Sequence, residues 1–130
     1  MRTDNRGFTL IELLIVVVII GILASIAIPK FANTKEKAYL AKMKGDLRNL
    51  ATAQESYSAD NTAYYGGAVP NAVLTYNPSS GVTVTVVEAT AGGWSATATM
   101  PSMTSRTCAI YYGSAAPVAP ANAEGQVKCT

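Results

Sequence analysis

The sequence predicts an α+β fold in which one long N-terminal α-helix lays its C-terminal half on a small antiparallel β-sheet. Three observations predict it. An apolar run from Phe8 to Ile28, FTLIELLIVVVIIGILASIAI, passes into an amphipathic stretch whose apolar residues step by three and four. After residue 59 the pattern changes to alternation with a period of two, in segments set off by Gly, Asn and Pro. The only two cysteines, Cys108 and Cys129, lie late in this alternating part.

The N-terminus comes first. A short leader with Arg2, Asp4 and Arg6 joins the apolar run directly at Gly7-Phe8. As a helix, Phe8 to Ile28 measures roughly 30 Å, the thickness of a bilayer's hydrocarbon core. Arg2 and Arg6 precede it, so the positive-inside rule leaves the N-terminus in the cytoplasm and sends the rest of the chain across. Glu12 is the only charge in the run, and a carboxylate at that depth costs roughly 2.5–3.5 kcal/mol on insertion scales. An ordinary secretory signal has a shorter apolar core with a small-residue cleavage site behind it, although Ala24-Ser25-Ile26-Ala27 imitates such a site. A plain membrane anchor gives Glu12 and Gly7 no role.

Gly7-Phe8-Thr9-Leu10-Ile11-Glu12, followed by an apolar helix, Gly21 and Pro29, resembles the class III signal and N-terminal helix of type IV prepilins, most closely the type IVa major pilins. The rest of the chain matches that family in layout, by its long helix and late cysteine pair, more than by motif. The resemblance implies the type IV pilin fold, cleavage after Gly7 by a dedicated prepilin peptidase, methylation of the new N-terminus at Phe8, and an assembly role for Glu12. Removing residues 1–7 lowers the formal charge from +2 to +1, a balance that points to no acidic partner.

Glu12 lies one helical turn from Phe8 on the same face, within reach of an N-terminal ammonium, its own or a neighbour's. In a bundle of such helices, the ammonium of one subunit can neutralise the carboxylate of the next. That pairing sets the stagger, while apolar packing supplies cohesion. Gly21 and Pro29 cost about 1 and 3 kcal/mol respectively in a helix interior and mark a weak segment. Two readings stay open for it: a stretch that is helical or kinked in lipid and partly extended in the filament, or a permanent proline kink.

Beyond Pro29 the helix becomes amphipathic. Leu40, Met43, Leu47, Leu50, Gln54 and Tyr57 form a stripe that faces a core, and Lys35, Lys37, Lys42, Lys44, Asp46 and Arg48 fall on the opposite faces. A helix from about Phe8 to about Ala59 would be roughly 75 Å long, so its first half is expected to project from the head. Asp60-Asn61-Thr62 and Tyr64-Tyr65-Gly66-Gly67 then read as a helix exit and loop.

The first strand is expected over Val82–Val87, valines on one face and threonines on the other, after the turn Asn77-Pro78-Ser79-Ser80-Gly81. Ala91-Gly92-Gly93 reverses the chain into Trp94–Met100, which places Trp94, Ala96, Ala98 and Met100 on the core face. A third strand is expected at Cys108–Tyr112 and a short fourth at Gln126–Cys129, completing a meander. Gly113 to Gly125, rich in Ala and containing Pro117 and Pro120, reads as an exposed loop. In an exported chain, Cys108 and Cys129 form a disulfide in the simplest reading, a metal pair being short of ligands. In the type IVa pilins such a bridge bounds a C-terminal surface region, which by resemblance is 108–129 here. The expected division is therefore a leader, 1–7; an apolar transmembrane and filament-core helix, 8–31; and a head, 32–130, made of helix 32–59, loop 60–81 and the sheet with its disulfide-bounded region, 82–130.

Without a histidine the chain has no base–nucleophile set, and it carries neither a phosphate-binding glycine loop nor a zinc-ligand cluster. Asp60, Glu88 and Glu124 are scattered carboxylates of the kind usually solvated at a surface. No enzyme activity, cofactor, metal or small-molecule substrate is expected. The leading reading is a structural subunit of an extracellular type IV pilus. It forms a homopolymer through the N-terminal helix, is held in the inner membrane before assembly, and is served by prepilin peptidase and the assembly machinery. The alternatives are a pseudopilin of a type II secretion or competence system and, from another class, a membrane-anchored binding module. The cysteine-bounded C-terminus favours the pilin, and the lack of an acidic calcium-ligand cluster disfavours a secretion pseudopilin. The aromatic residues read as core rather than as a conducting path, and the lysines as solvated helix surface, with DNA contact left open. Motility, adhesion and DNA uptake are not distinguished by the residues.

Overall fold

The computed structural model describes residues 7–130, so the expected leader, apart from Gly7, lies outside the described residues. The chain divides into one unit that ends at Lys35 and a second, Glu36–Thr130. Helix α1 (Leu10–Asp60) begins in the first and ends in the second. It is α-helical across Pro29, although the ring leaves the Ser25 carbonyl without its usual N–H donor.

The first unit is apolar and uncovered. Phe8 is 85% exposed and Phe31 79%, and every large hydrophobic residue between them is about half exposed or more. This part of α1 is long and apolar enough to cross a membrane. Among the described residues these side chains stay exposed, a contiguous apolar surface of the kind that marks a membrane or protein contact.

In the second unit the helix pattern meets the strand pattern. The fold is α+β, with the C-terminal half of α1 packed on a four-stranded antiparallel sheet. Its strands are β1 (Thr83–Ala89), β2 (Gly93–Thr99), β3 (Thr107–Gly113) and β4 (Lys128–Cys129), hydrogen-bonded in the order β1-β2-β3-β4. Met43, Leu47 and Leu50 are fully buried against a core that includes Trp94, Ala96, Ala98, Cys108 and Ile110. Alanines at the middle of β2 leave room for the larger helix side chains, and Trp94 stacks on Tyr112 with ring centroids 5.3 Å apart. Gln54 belongs to the buried stripe because its amide is fully paired. Its Nε2 donates to the Tyr65 carbonyl and its Oε1 accepts from the Tyr65 N–H, each at 2.8 Å.

Several expectations need correction. α1 begins at Leu10, two residues after the approximate start at Phe8, with Thr9 as its cap; β1 starts one residue later and ends two residues later than expected, and β3 runs one residue past each expected end. β4 is only Lys128–Cys129, since pairing with β3 is confined to Cys108 and Ala109. A bulge between Val86 and Glu88 takes Val87 out of register, which breaks the simple alternation of valines and threonines.

Asp46, assigned to a solvated face, is 3% exposed. Its two carboxylate oxygens accept from the Ser79 N–H (3.1 Å) and hydroxyl (2.8 Å), which offsets the cost of burying the charge. Tyr76 packs beside it and donates to the Asp46 carbonyl at 3.0 Å; burial, reinforced by the Asp46 charge, pushes the phenol well above its ordinary range.

Gly113 to Gly125 is not an exposed loop throughout, because Ala115 and Ala121 are buried. The segment lies back on its neighbours: Ser114 N–H donates to Gly92 O (3.0 Å) and Gly125 N–H to Tyr111 O (2.9 Å). Gly113 sits at φ +62°, and a Cβ there would run into the Gly92 carbonyl, so this corner requires glycine.

Candidate assembly site

The N-terminal site is built from the first turn of α1. The Thr9 hydroxyl accepts from the Glu12 N–H at 3.3 Å, and Glu12 Oε2 accepts from the Thr9 N–H at 2.8 Å and from its hydroxyl at 2.7 Å. This is a reciprocal capping box, Thr-x-x-Glu, which satisfies two of the N–H groups a helix start leaves without partners. Here Phe8 follows Gly7 in an unbroken peptide chain, so its nitrogen is an amide rather than an ammonium. The Glu12 carboxylate is therefore held by Thr9. Thr-x-x-Glu ahead of an apolar run is a capping signal legible in the sequence.

Gly21 and Pro29 lie farther along the same helix, in the exposed apolar unit. A Cβ built at Gly21 meets nothing within 4 Å among the described residues, so no contact among them requires a glycine there. Near Pro29 two hydroxyls fold back onto the helix, Ser25 donating to Ile22 O at 2.7 Å and Thr34 to Lys30 O at 2.9 Å. Such back-bonding accompanies bending in helices.

At the other end of the chain, Cys108 and Cys129 are disulfide-bonded and stand directly opposite each other across β3 and β4. Two of the three carboxylates read as solvated, Glu88 and Glu124, take part in holding this region. Glu88 accepts from the Ala116 N–H at 3.0 Å, and Glu124 from the Gly113 N–H at 2.7 Å. Glu36 pairs with Arg106 at 2.6 Å, tying α1 to the segment before β3. Among the described residues, no group of three or more His, Cys, Asp or Glu side chains could hold a metal ion. The structure thus brings Thr9 to Glu12 and Cys108 to Cys129.

Comparison with known proteins adds to this geometry. Residues 2–28 match the family described as the prokaryotic N-terminal methylation motif. The chain is 52% identical over 60 residues to the type IV major pilin protein PilA of Myxococcus xanthus, a stretch that covers 46% of this chain and 27% of that protein. It is 43% identical over 63 residues to the type II secretion system core protein G of Pseudomonas aeruginosa, covering 48% of this chain and 44% of that one. The protein of the same description in Escherichia coli is 46% identical over 63 residues, 48% of this chain and 43% of its own length. The chain thus spans less than half the length of these curated relatives.

Proposed function

We propose that this type IV pilin-like chain is a structural subunit which, once processed, polymerises through its N-terminal helix into an extracellular type IV pilus. One observation carries the reading: an uncovered apolar helix of membrane-spanning length whose only charge, Glu12, lies one turn behind the Gly7-Phe8 junction. In this reading residues 1–7 are a leader removed by prepilin peptidase, Phe8 becomes a methylated N-terminus, 8–31 crosses the inner membrane before assembly and forms the filament core afterwards, and 32–130 is the head. Cleavage turns the Phe8 amide into an ammonium. Glu12 then gains a cationic partner that Thr9 cannot match in charge, and pairing it with a neighbouring subunit's ammonium fixes the stagger.

Gly21 and Pro29 have an assembly role on the same reading. Gly21 leaves space that a neighbouring helix can enter, and the stretch up to Pro29 is where α1 yields when helices crowd together.

A second reading, a pseudopilin of a type II secretion system, is favoured by the identity to core protein G. The disulfide-bounded C-terminus and the want of a calcium-type acidic cluster among the described residues favour the pilus. Electron microscopy of surface filaments, with mass spectrometry of their main subunit, tests the choice. The pilus reading expects this chain, starting at Phe8, as the bulk of long surface filaments. Filaments lacking it, or a chain confined to the cell envelope with loss of secretion on its deletion, would overturn that reading.

A further inference from the structure

The second unit carries a groove of about 670 Å³ between the last turns of α1 and the segment 73–77. Its volume falls in the range of small-molecule sites. The floor is apolar and aromatic, made by Leu74, Tyr76 and the half-buried Tyr57. The walls are amides, hydroxyls and one carboxylate. Asn49, Thr52 and Asp60 line it from the helix, spaced along one face, and Thr75 and Asn77 face them from the loop.

Most of these polar side chains do not serve the fold. Thr52 bonds back to the Arg48 carbonyl, but Asn49, Asp60, Thr75 and Asn77 make no side-chain hydrogen bond with any described residue. Thr75 also sits at φ +54°, a left-handed conformation that is costly for a β-branched residue. Strain of this sort collects where a surface is shaped for contact.

We infer that this groove binds a neutral, hydroxyl-rich saccharide of one or two rings. A pyranose offers apolar C–H faces that pack on an aromatic ring, and equatorial hydroxyls that both donate to and accept from amides. Tyr57 supplies the ring. Asn49 and Asn77 supply donors and acceptors on opposite walls, and Asp60 accepts from a vicinal pair of hydroxyls. No lysine or arginine lines the groove, and Asp60 repels anions, so phosphate, nucleic acid and acidic ligands are excluded on charge. The groove shares no lining residue with the disulfide-bounded region. In a filament the site would repeat once per subunit, and weak single-site affinity would become avid binding to a polysaccharide. Only this multivalency rests on the polymer reading; the site itself does not.

The test titrates the full-length chain in dodecylphosphocholine micelles, whose headgroup contains no sugar. The probes are maltotriose, cellotriose and triacetylchitotriose, followed by amide NMR. At least one should bind with a Kd on the order of 1 mM, with shifts centred on 49–61 and 73–77. Asn49→Ala and Asn77→Ala, both at exposed positions, should weaken binding at least about tenfold, while Asn122→Ala in the disulfide-bounded region leaves it unchanged. Failure of all three probes, shifts centred elsewhere, or unchanged binding by both groove variants would overturn the proposal. So would wild-type filaments that bind none of the probes the micellar chain binds, since a neighbouring subunit would then fill the groove. Absence of filaments altogether would count against the polymer reading alone, because the micelle titration needs none.

Discussion

Thr9 and Glu12 hold each other at the start of α1, the hydroxyl accepting from the Glu12 N–H at 3.3 Å and the carboxylate accepting twice from Thr9, at 2.8 and 2.7 Å. An acidic residue in an apolar segment is thereby kept hydrogen-bonded before any second chain is present, which lowers the cost of carrying it into a membrane interface. The cap and the proposed intersubunit ion pair use the same carboxylate at different stages.

The cap can be separated from the charge. Thr9→Ala removes one donor and one acceptor and should destabilise the first turn by about 0.5–2 kcal/mol. The chain should still be cleaved, and its filaments should be fewer but of normal subunit spacing, because Glu12 keeps its charge. Counts and layer-line spacings from electron micrographs check this. A spacing altered in Thr9→Ala filaments would assign the stagger to the cap.

Tyr76 gives the second unit a pH signature. Burial first, and then the Asp46 charge, raise its folded-state pKa above the ordinary value, so the folded state disfavours phenolate. The stabilisation is complete below the unfolded-state value of about 10 and is lost as pH rises beyond it, by at most ~1.4 kcal/mol per pH unit for one proton. Tyr76→Phe should cost about 0.5–1.5 kcal/mol at neutral pH, through the lost bond to the Asp46 carbonyl. It should also flatten the decline above pH 10 relative to wild type. Chemical denaturation at a series of alkaline pH values measures both, and parallel curves for the two chains would remove Tyr76 as the cause.

What was legible in the sequence follows from range. The stripe of Met43, Leu47 and Leu50 and the alternation through β2 are local periodicities, and each led to the observed core. The burial of Asp46 was not legible, because its partner Ser79 lies 33 residues away and nothing near Asp46 announces it. The polar groove was missed for the same reason. It forms only when 73–77 folds back beside α1, and the left-handed conformation of Thr75 has no signature in a residue type that normally avoids it. Thr9 is a different case, because its Thr-x-x-Glu motif is local and readable in the sequence.

The disulfide should matter more to the head than to the membrane segment. Cys108→Ser opens the covalent link between β3 and the two-residue β4, whose pairing is too short to persist unaided. Loss of about 2–5 kcal/mol is expected on the usual scale for such bridges. In micelles the Tm followed by near-UV circular dichroism of Trp94 should fall, while the helical far-UV signal from the apolar part of α1 stays. An unchanged Tm would mean that the hydrogen bonds from Ala116 and Gly113 to Glu88 and Glu124 hold the region by themselves.

Two substitutions at Glu12 decide between its roles. Glu12→Ala loses both the cap and the charge, whereas Glu12→Gln keeps an acceptor that can complete the capping box and loses only the charge. Both make the apolar segment less costly to insert, so both should be inserted and cleaved at Gly7-Phe8. If the charge sets the register, both should fail to assemble alone, because a joining subunit would bury its Phe8 ammonium without a partner, a loss far greater than deleting the whole pair. Co-expressed with wild type, each should be under-represented in filaments relative to its share of the membrane pool, by mass spectrometry of sheared filaments against membranes. Normal filaments from Glu12→Gln but none from Glu12→Ala would move the role from charge to helix capping. Normal filaments from both would leave the stagger to apolar packing of the exposed helix face, and the carboxylate would then be a group the membrane segment carries only because Thr9 keeps it bonded.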